Sequence, residues 1–274
     1  MSSSKITANS DLPLPDSVRR AAGSRCSDFS SLPRRHNLLP SVVGGETVVK
    51  DELPYIVGLQ YPWGNVSGGT IISESVILTS ANCAIPGFET AVAVVAEDHQ
   101  LYLDDDTEPV RAVKKIIAHE DFHSYEFPND IAIVVLSEPL VSNEAVQALP
   151  FSTEGHNATA NDNICRKRPC PGSVDYEWGY RANLTKVLIP IVPGKECKAA
   201  YGDEINASNI CAGSPEEGKE VCGLDTGGPL VADDLGYKYL AGILSWRSGC
   251  TIRDRPIVFT DVSYLANWIA KNLP

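Results

Sequence analysis

An all-β fold closed by one C-terminal helix is the class this sequence predicts. Short apolar runs of strand length recur between turn-forming residues. One amphipathic segment stands at the end of the chain. The roughly 230 residues from Val42 onward suit a single β unit. Of the 274 residues, 43% are hydrophobic, enough for a sizeable core.

Taken in order, residues 55–59, 75–79, 131–136 and 187–192 are the clearest strands. Over residues 262–273, apolar Leu265, Trp268, Ile269 and Leu273 fall at helical spacing and predict a helix packed on the second half of the fold. Residues 1–41 are rich in Ser, Pro and Arg, with no sustained period. They lack the apolar segment of a secretory signal and read as a flexible, propeptide-like leader. No run of about eighteen apolar residues is present, so no membrane insertion is expected. The net charge of −12 argues against nucleic acid or anionic membrane as partners, since both need a basic footprint.

Several motifs then fall in one order. Val42-Val43-Gly44-Gly45 comes first, followed by Leu78-Thr79-Ser80-Ala81-Asn82-Cys83 and Asn129-Asp130-Ile131-Ala132-Ile133. Glu177-Trp178-Gly179, Ile210-Cys211-Ala212-Gly213 and Cys222-Gly223-Leu224-Asp225-Thr226-Gly227-Gly228-Pro229-Leu230 follow. Tyr239-Leu240-Ala241-Gly242-Ile243 and Ser245-Trp246 complete the set. Together they resemble the trypsin-like (chymotrypsin-fold, S1) serine proteases, with motifs especially close to arthropod, notably crustacean, trypsins. The resemblance implies two six-stranded antiparallel β-barrels: the first over about 42–150, the second over about 151–261, and the helix over about 262–273.

The chain departs from that family where its chemistry lies. A serine protease uses an imidazole to take the hydroxyl proton, a carboxylate to orient it, and backbone donors for the oxyanion. The triad-equivalent positions hold Asn82, Asp130 and Thr226. A neutral amide at 82 cannot accept the proton, and the β-methyl of Thr226 restricts its rotation. Among the five histidines, none falls where it would replace the base. Leu224 occupies the oxyanion-loop position where the family has glycine. Glu220, Arg247 and Ile257 occupy S1-pocket positions, with Arg247 expected across the entrance and Ile257 inside; Glu220 could attract a cation, but an internal pair with Arg247 is the favoured reading. Val42 and Asp225 match the activation amine and its partner, but Ser41 precedes Val42 and offers no trypsin-like cleavage site.

The resemblance pairs Cys197 with Cys211 and Cys222 with Cys250. The usual partner of Cys83 is replaced by Ser67, which leaves Cys26, Cys83, Cys165 and Cys170 open. A local Cys165–Cys170 bridge and a tether through Cys26 are alternatives that the sequence does not decide. Eight cysteines point to an oxidising, extracellular setting although no signal peptide is visible. Asn65, Asn157, Asn183 and Asn206 head glycosylation sequons. No cofactor is expected. Asp98, Asp105 and Glu108 lie in the loop that binds calcium in many trypsins, but read more simply as a solvated acidic turn.

The function expected is that of a catalytically inactive homolog that binds a protein partner, as cofactor, decoy or regulator in an extracellular protease or immune pathway. A weak hydrolase using Thr226, and a disulfide-linked adhesive protein, are the alternatives. A monomer is expected unless the spare cysteines link chains.

Overall fold

Two interiors share one wall, and the alternation of side chains along the strands decides which residue serves which. The computed structural model describes residues 46–61, 66–97, 100–101, 108–154, 163–165, 182–213, 226–246 and 255–274. Its early strands are β1 (Glu46–Thr47), β2 (Ile56–Gln60), β3 (Val66–Ser73), β4 (Val76–Thr79) and β5 (Ala93–Ala96). Then come β6 (Gln100–Leu101), β7 (Val110–Ala118) and β8 (Ala132–Leu136). Six of these close a barrel in the order β2-β3-β4-β8-β7-β5, with β5 returning to β2 through Val57↔Ala96. Val57, Leu59, Ile71, Ile77, Val94 and Val134 fill it.

The second half contributes β9 (Asn163–Cys165), β10 (Ala182–Asn183), β11 (Thr185–Val187), β12 (Ile191–Val192) and β13 (Asn209–Ala212). β14 (Pro229–Asp234), β15 (Tyr237–Trp246) and β16 (Ile257–Asp261) complete it. Its sheet runs β1-β11-β9-β14-β15-β16-β13-β12, while β10 pairs with β6. The all-β architecture with one closed six-stranded barrel is thus as expected. In place of the second six-stranded barrel expected, the described residues form an eight-stranded sheet with β1 at one edge and β12 at the other. Among the described residues two α-helices accompany the sheet, α1 (Gly194–Tyr201) and α2 (Ala266–Asn272).

Strand β8 is the shared wall. Successive side chains point to opposite faces, and here both faces are buried, which explains the unbroken apolar run from Ile131 to Leu136. Ala132, Val134 and Leu136 enter the barrel. Ile131, Ile133 and Val135 face a second core with Leu240, Ile243, Trp268 and Ile269.

Two expectations need correction. Residues 187–192 do not form one strand: β11 ends at Val187 and β12 begins at Ile191. Pro190 has no N–H to give a ladder, and its carbonyl instead accepts from the Gly213 N–H at 2.8 Å. The terminal helix starts at Ala266 rather than 262. Asp261 Oδ1 accepts from the Ser263 N–H (2.9 Å), the Ser263 hydroxyl (2.7 Å) and the Tyr264 N–H (3.3 Å), so residues 262–265 are held as a turn. Short polar side chains favour such turns over helix.

Helix α2 is fastened by Trp268. Its ring stacks on His119 with centroids 4.9 Å apart, and its indole N–H donates to Glu120 Oε2 at 2.7 Å. Because Trp268 belongs to the shared core, Trp268→Ala is expected to cost roughly 3–5 kcal/mol. Glu120→Gln should leave the urea midpoint near wild type, since that carboxylate is largely exposed. Equilibrium urea unfolding of both variants checks the contrast.

Candidate functional site

Asp130 stands just before β8 and is fully buried. One carboxyl oxygen, Oδ1, accepts from the backbone N–H of Asn82 at 2.8 Å. The other, Oδ2, accepts from the Ser245 hydroxyl at 2.5 Å. Its main-chain carbonyl accepts from the Thr260 hydroxyl at 2.8 Å. One residue earlier, Asn129 takes a positive φ of 48° and its N–H donates to Ser208 Oγ at 2.9 Å. The first barrel therefore presents this carboxyl, and β15 and β16 of the second half receive it.

Burial drives the Asp130 pKa up to about 7, against the lowering effect of hydrogen bonds from Ser245, Asn82 and Ala81. A carboxylate deprived of water is penalised in its charged form. At this site an adjacent cation would offset the penalty, but position 82 supplies only a neutral amide. Asn82 lies in the turn after β4 and is itself buried. Its side-chain carbonyl oxygen is buried and has no hydrogen-bond partner among the described residues.

Thr226 reaches the site from the second half. It is buried, and its carbonyl accepts from the Gly68 N–H of β3 at 3.0 Å. The following Gly227 has φ +87°, a conformation that disfavours any side chain. A Cβ at Gly227 would lie 2.3 Å from Thr79 Oγ1 and 2.4 Å from Gly68 O. Across the contact, a Cβ at Gly68 would lie 2.7 Å from Gly228 Cα. The Thr79 hydroxyl donates to Gly68 O at 2.7 Å, and Gly227 N–H and Gly228 O bond Leu244 at 2.8 Å each. Gly68 on one side and Gly227 and Gly228 on the other thus let one backbone lie directly on another.

Of the residues singled out by sequence, Asn82 and Asp130 are joined by a hydrogen bond, and Thr226 is bonded through its carbonyl to Gly68 of β3. Ile257 opens β16 and packs in the second core with Ile189, Ala212 and Leu244. Glu220, Leu224, Asp225, Arg247 and Val42 lie outside the described residues, as do Asn65, Asn157, Asp98 and Asp105. The Cys222–Cys250 pair lies outside them as well. The Cys197–Cys211 bridge is formed, with Cα atoms 5.8 Å apart. Asn183 lies on β10. Asn206 is folded into its own turn, its Oδ1 accepting from Ser208 N–H (2.9 Å) and Ser208 Oγ (2.6 Å). Glu108 is partly buried, and the described residues hold no group of three metal-ligating side chains.

Sequence reasoning missed Ser245 as a carboxyl partner and Gly68 as the seat of the Thr226 loop. Gly68 and the pair Gly227-Gly228 carried that signal.

The trypsin family model matches residues 42–269. This chain belongs to the trypsin family. It is 36% identical over 246 residues to Trypsin-1 of Astacus astacus, across 84% of this chain and 99% of that protein. It is 31% identical to a trypsin of Xenopus laevis, across 85% and 90%. It is 30% identical to the vitellin-degrading protease of Bombyx mori, across 85% of each.

Within this trypsin-family frame, two outcomes are expected. A carboxyl with a raised folded pKa stabilises the fold at acid pH, and that contribution fades as pH climbs toward and through about 7. Asp130→Asn keeps an acceptor for the Asn82 N–H and cannot ionise. The difference in unfolding free energy between wild type and this variant should therefore shift by about 2–3 kcal/mol between roughly pH 5 and pH 8, with wild type losing ground. Urea midpoints across that range read it directly; parallel curves would refute the buried-proton account. Separately, Gly68→Ala should lower thermal stability strongly, whereas Gly194→Ala, with open space around its Cβ, should leave Tm nearly unchanged.

Proposed function

We propose that this trypsin-family chain is a non-catalytic, extracellular homolog that works by binding a protein partner. The observation that carries the reading is the pairing at Asp130. In a working triad the carboxylate holds an imidazolium; here it receives a backbone N–H from Asn82 and a hydroxyl from Ser245. Its raised pKa is what an acid with no cationic neighbour would show. Asn82 offers the hydroxyl of Thr226 no base to activate it. Losing such members costs roughly 10⁴–10⁶-fold in kcat.

Leu224, Arg247 and Ile257 extend the reading to substrate access, and eight cysteines favour an oxidising compartment. Recognition would then fall to the surface loops, which a rigid β scaffold can vary freely. No cofactor enters the proposal. An adhesive role would need intermolecular disulfides, visible as ladders in non-reducing electrophoresis.

One reading competes: a weak hydrolase through Thr226. It is favoured by the retained hydroxyl and by relatives named as trypsins and a vitellin-degrading protease. A fluorescent serine-reactive phosphonate, with trypsin alongside, separates the two. No labelling of the folded protein is expected, and labelling abolished by Thr226→Ala would install the hydrolase reading instead. The double reversion Asn82→His with Thr226→Ser should stay far below trypsin on basic substrates, because the pocket substitutions remain.

A further inference from the structure

Among the described residues, Tyr55, Tyr61, Tyr201 and Tyr239 are buried, while Tyr125, Tyr237 and Tyr264 are exposed at 88%, 62% and 55%. A single exposed tyrosine is ordinary on a folded surface. Tyr125 differs in how its loop is held and in what surrounds it.

Tyr125 lies in the loop that leads from β7 to Asp130. The His119 N–H donates to the Ile131 carbonyl at 3.1 Å and closes that loop at its base. Within it, the Phe122 N–H donates to the His119 carbonyl (3.0 Å) and the Phe127 N–H to the His123 carbonyl (3.1 Å). At the far end Asn129 is bonded to Ser208. The Phe122 and Phe127 rings pack together with centroids 6.3 Å apart. Tyr125 falls between them in sequence yet turns outward, and its hydroxyl has no partner among the described residues.

Its neighbours are anionic. Glu120, Asp121 and Glu126 are exposed, and no lysine or arginine occurs between Lys115 and Arg166. From the elements packed against the loop, His119 and Lys271 act on Glu120, whose carboxylate also holds the Trp268 indole. Asp121 and Glu126 form no ion pair with a described cation. The other exposed tyrosines lack this setting. Lys238 adjoins Tyr237, and the Asp233 carboxylate nearby is occupied by the Gly236 N–H at 2.7 Å. Tyr264 has only Asp261 close in sequence, and that carboxylate organises the turn before α2.

A transferase that takes a sulfuryl group from an anionic nucleotide needs a cationic cleft, and a tyrosine flanked by carboxylates is drawn into such a cleft. We propose that Tyr125 is a site of tyrosine O-sulfation. The phenolic oxygen attacks the sulfur of an adenosine phosphosulfate and a new O–S bond forms. The phosphate–sulfate anhydride bond breaks, the nucleotide phosphate leaves with the electron pair, and the phenolic proton passes to a base of the transferase. The proposal rests on the extracellular, partner-binding reading above and specifies the partner's chemistry. A sulfate here adds a permanent anion to an acidic loop, and arginine side chains of a partner pair with such a group through charge-assisted bonds.

Transfer to the folded protein tests the site. The full chain is incubated with a tyrosylprotein sulfotransferase and a radiolabelled adenosine phosphosulfate, beside an acid-flanked tyrosine peptide that the enzyme accepts. After digestion, label is expected on the peptide containing Tyr125. It should be lost in Tyr125→Phe, retained in Tyr237→Phe, and reduced several-fold when Asp121→Asn is combined with Glu126→Gln. An exposed, unbonded ring makes Tyr125→Phe neutral to the fold, which an unchanged urea midpoint checks. An unlabelled chain beside a labelled control peptide would overturn the proposal, as would undiminished label in Tyr125→Phe. Either failure leaves the non-catalytic reading standing, since the phosphonate tests that separately. Phosphonate labelling at Thr226 would in turn displace that reading without moving the sulfate result.

Discussion

Everything around the site depends on how one buried carboxyl is satisfied. Asp130 belongs to the first barrel, yet its Oδ2 and its main-chain carbonyl are bonded by Ser245 and Thr260 of the second half. Its Oδ1 holds the turn that carries Asn82. Among the described residues no cation stands beside this buried acid, so burial favours its neutral form, which can also donate. The two halves therefore meet through a group whose neutral form is favoured by burial and whose charged form is favoured by its hydrogen bonds, the balance standing at about 7.

The glycine contact between β3 and the Thr226 loop complements that polar link. Gly68 and Gly227 remove the atoms that would hold the backbones apart. The main-chain bond from Gly68 to Thr226 follows from this proximity. Polar pairing fixes the two halves at Asp130, and steric absence fixes them here. The Thr226 loop is seated by main-chain contacts, a need of the scaffold that is separate from any chemistry of its side chain.

Much of the fold was legible because burial and period coincide. Ile131 to Leu136 reads as a strand whichever face is considered, since both are apolar. Residues 187–192 misled because their apolar content continues through Pro190, whose missing N–H matters only once a partner strand is known. The helix start misled because Asp261 can organise a turn from a sequence that also fits helical spacing. At the site, Asn82, Asp130 and Thr226 were visible through their motifs. Ser245 was not seen as a carboxyl partner, because a hydroxyl 115 positions away in sequence becomes one only in three dimensions.

Asn206 shows how folding and modification can draw on one side chain. Its amide oxygen is occupied by the Ser208 main chain and hydroxyl, and Ser208 in turn receives Asn129, the residue preceding Asp130. Glycan transfer needs the same asparagine and the same serine while the chain is still extended. A sugar at Asn206 would thus be a clock mark, recording that transfer outran closure of this turn. A bare Asn206 would record the reverse, and site occupancy would measure how early the loop behind the buried acid takes shape.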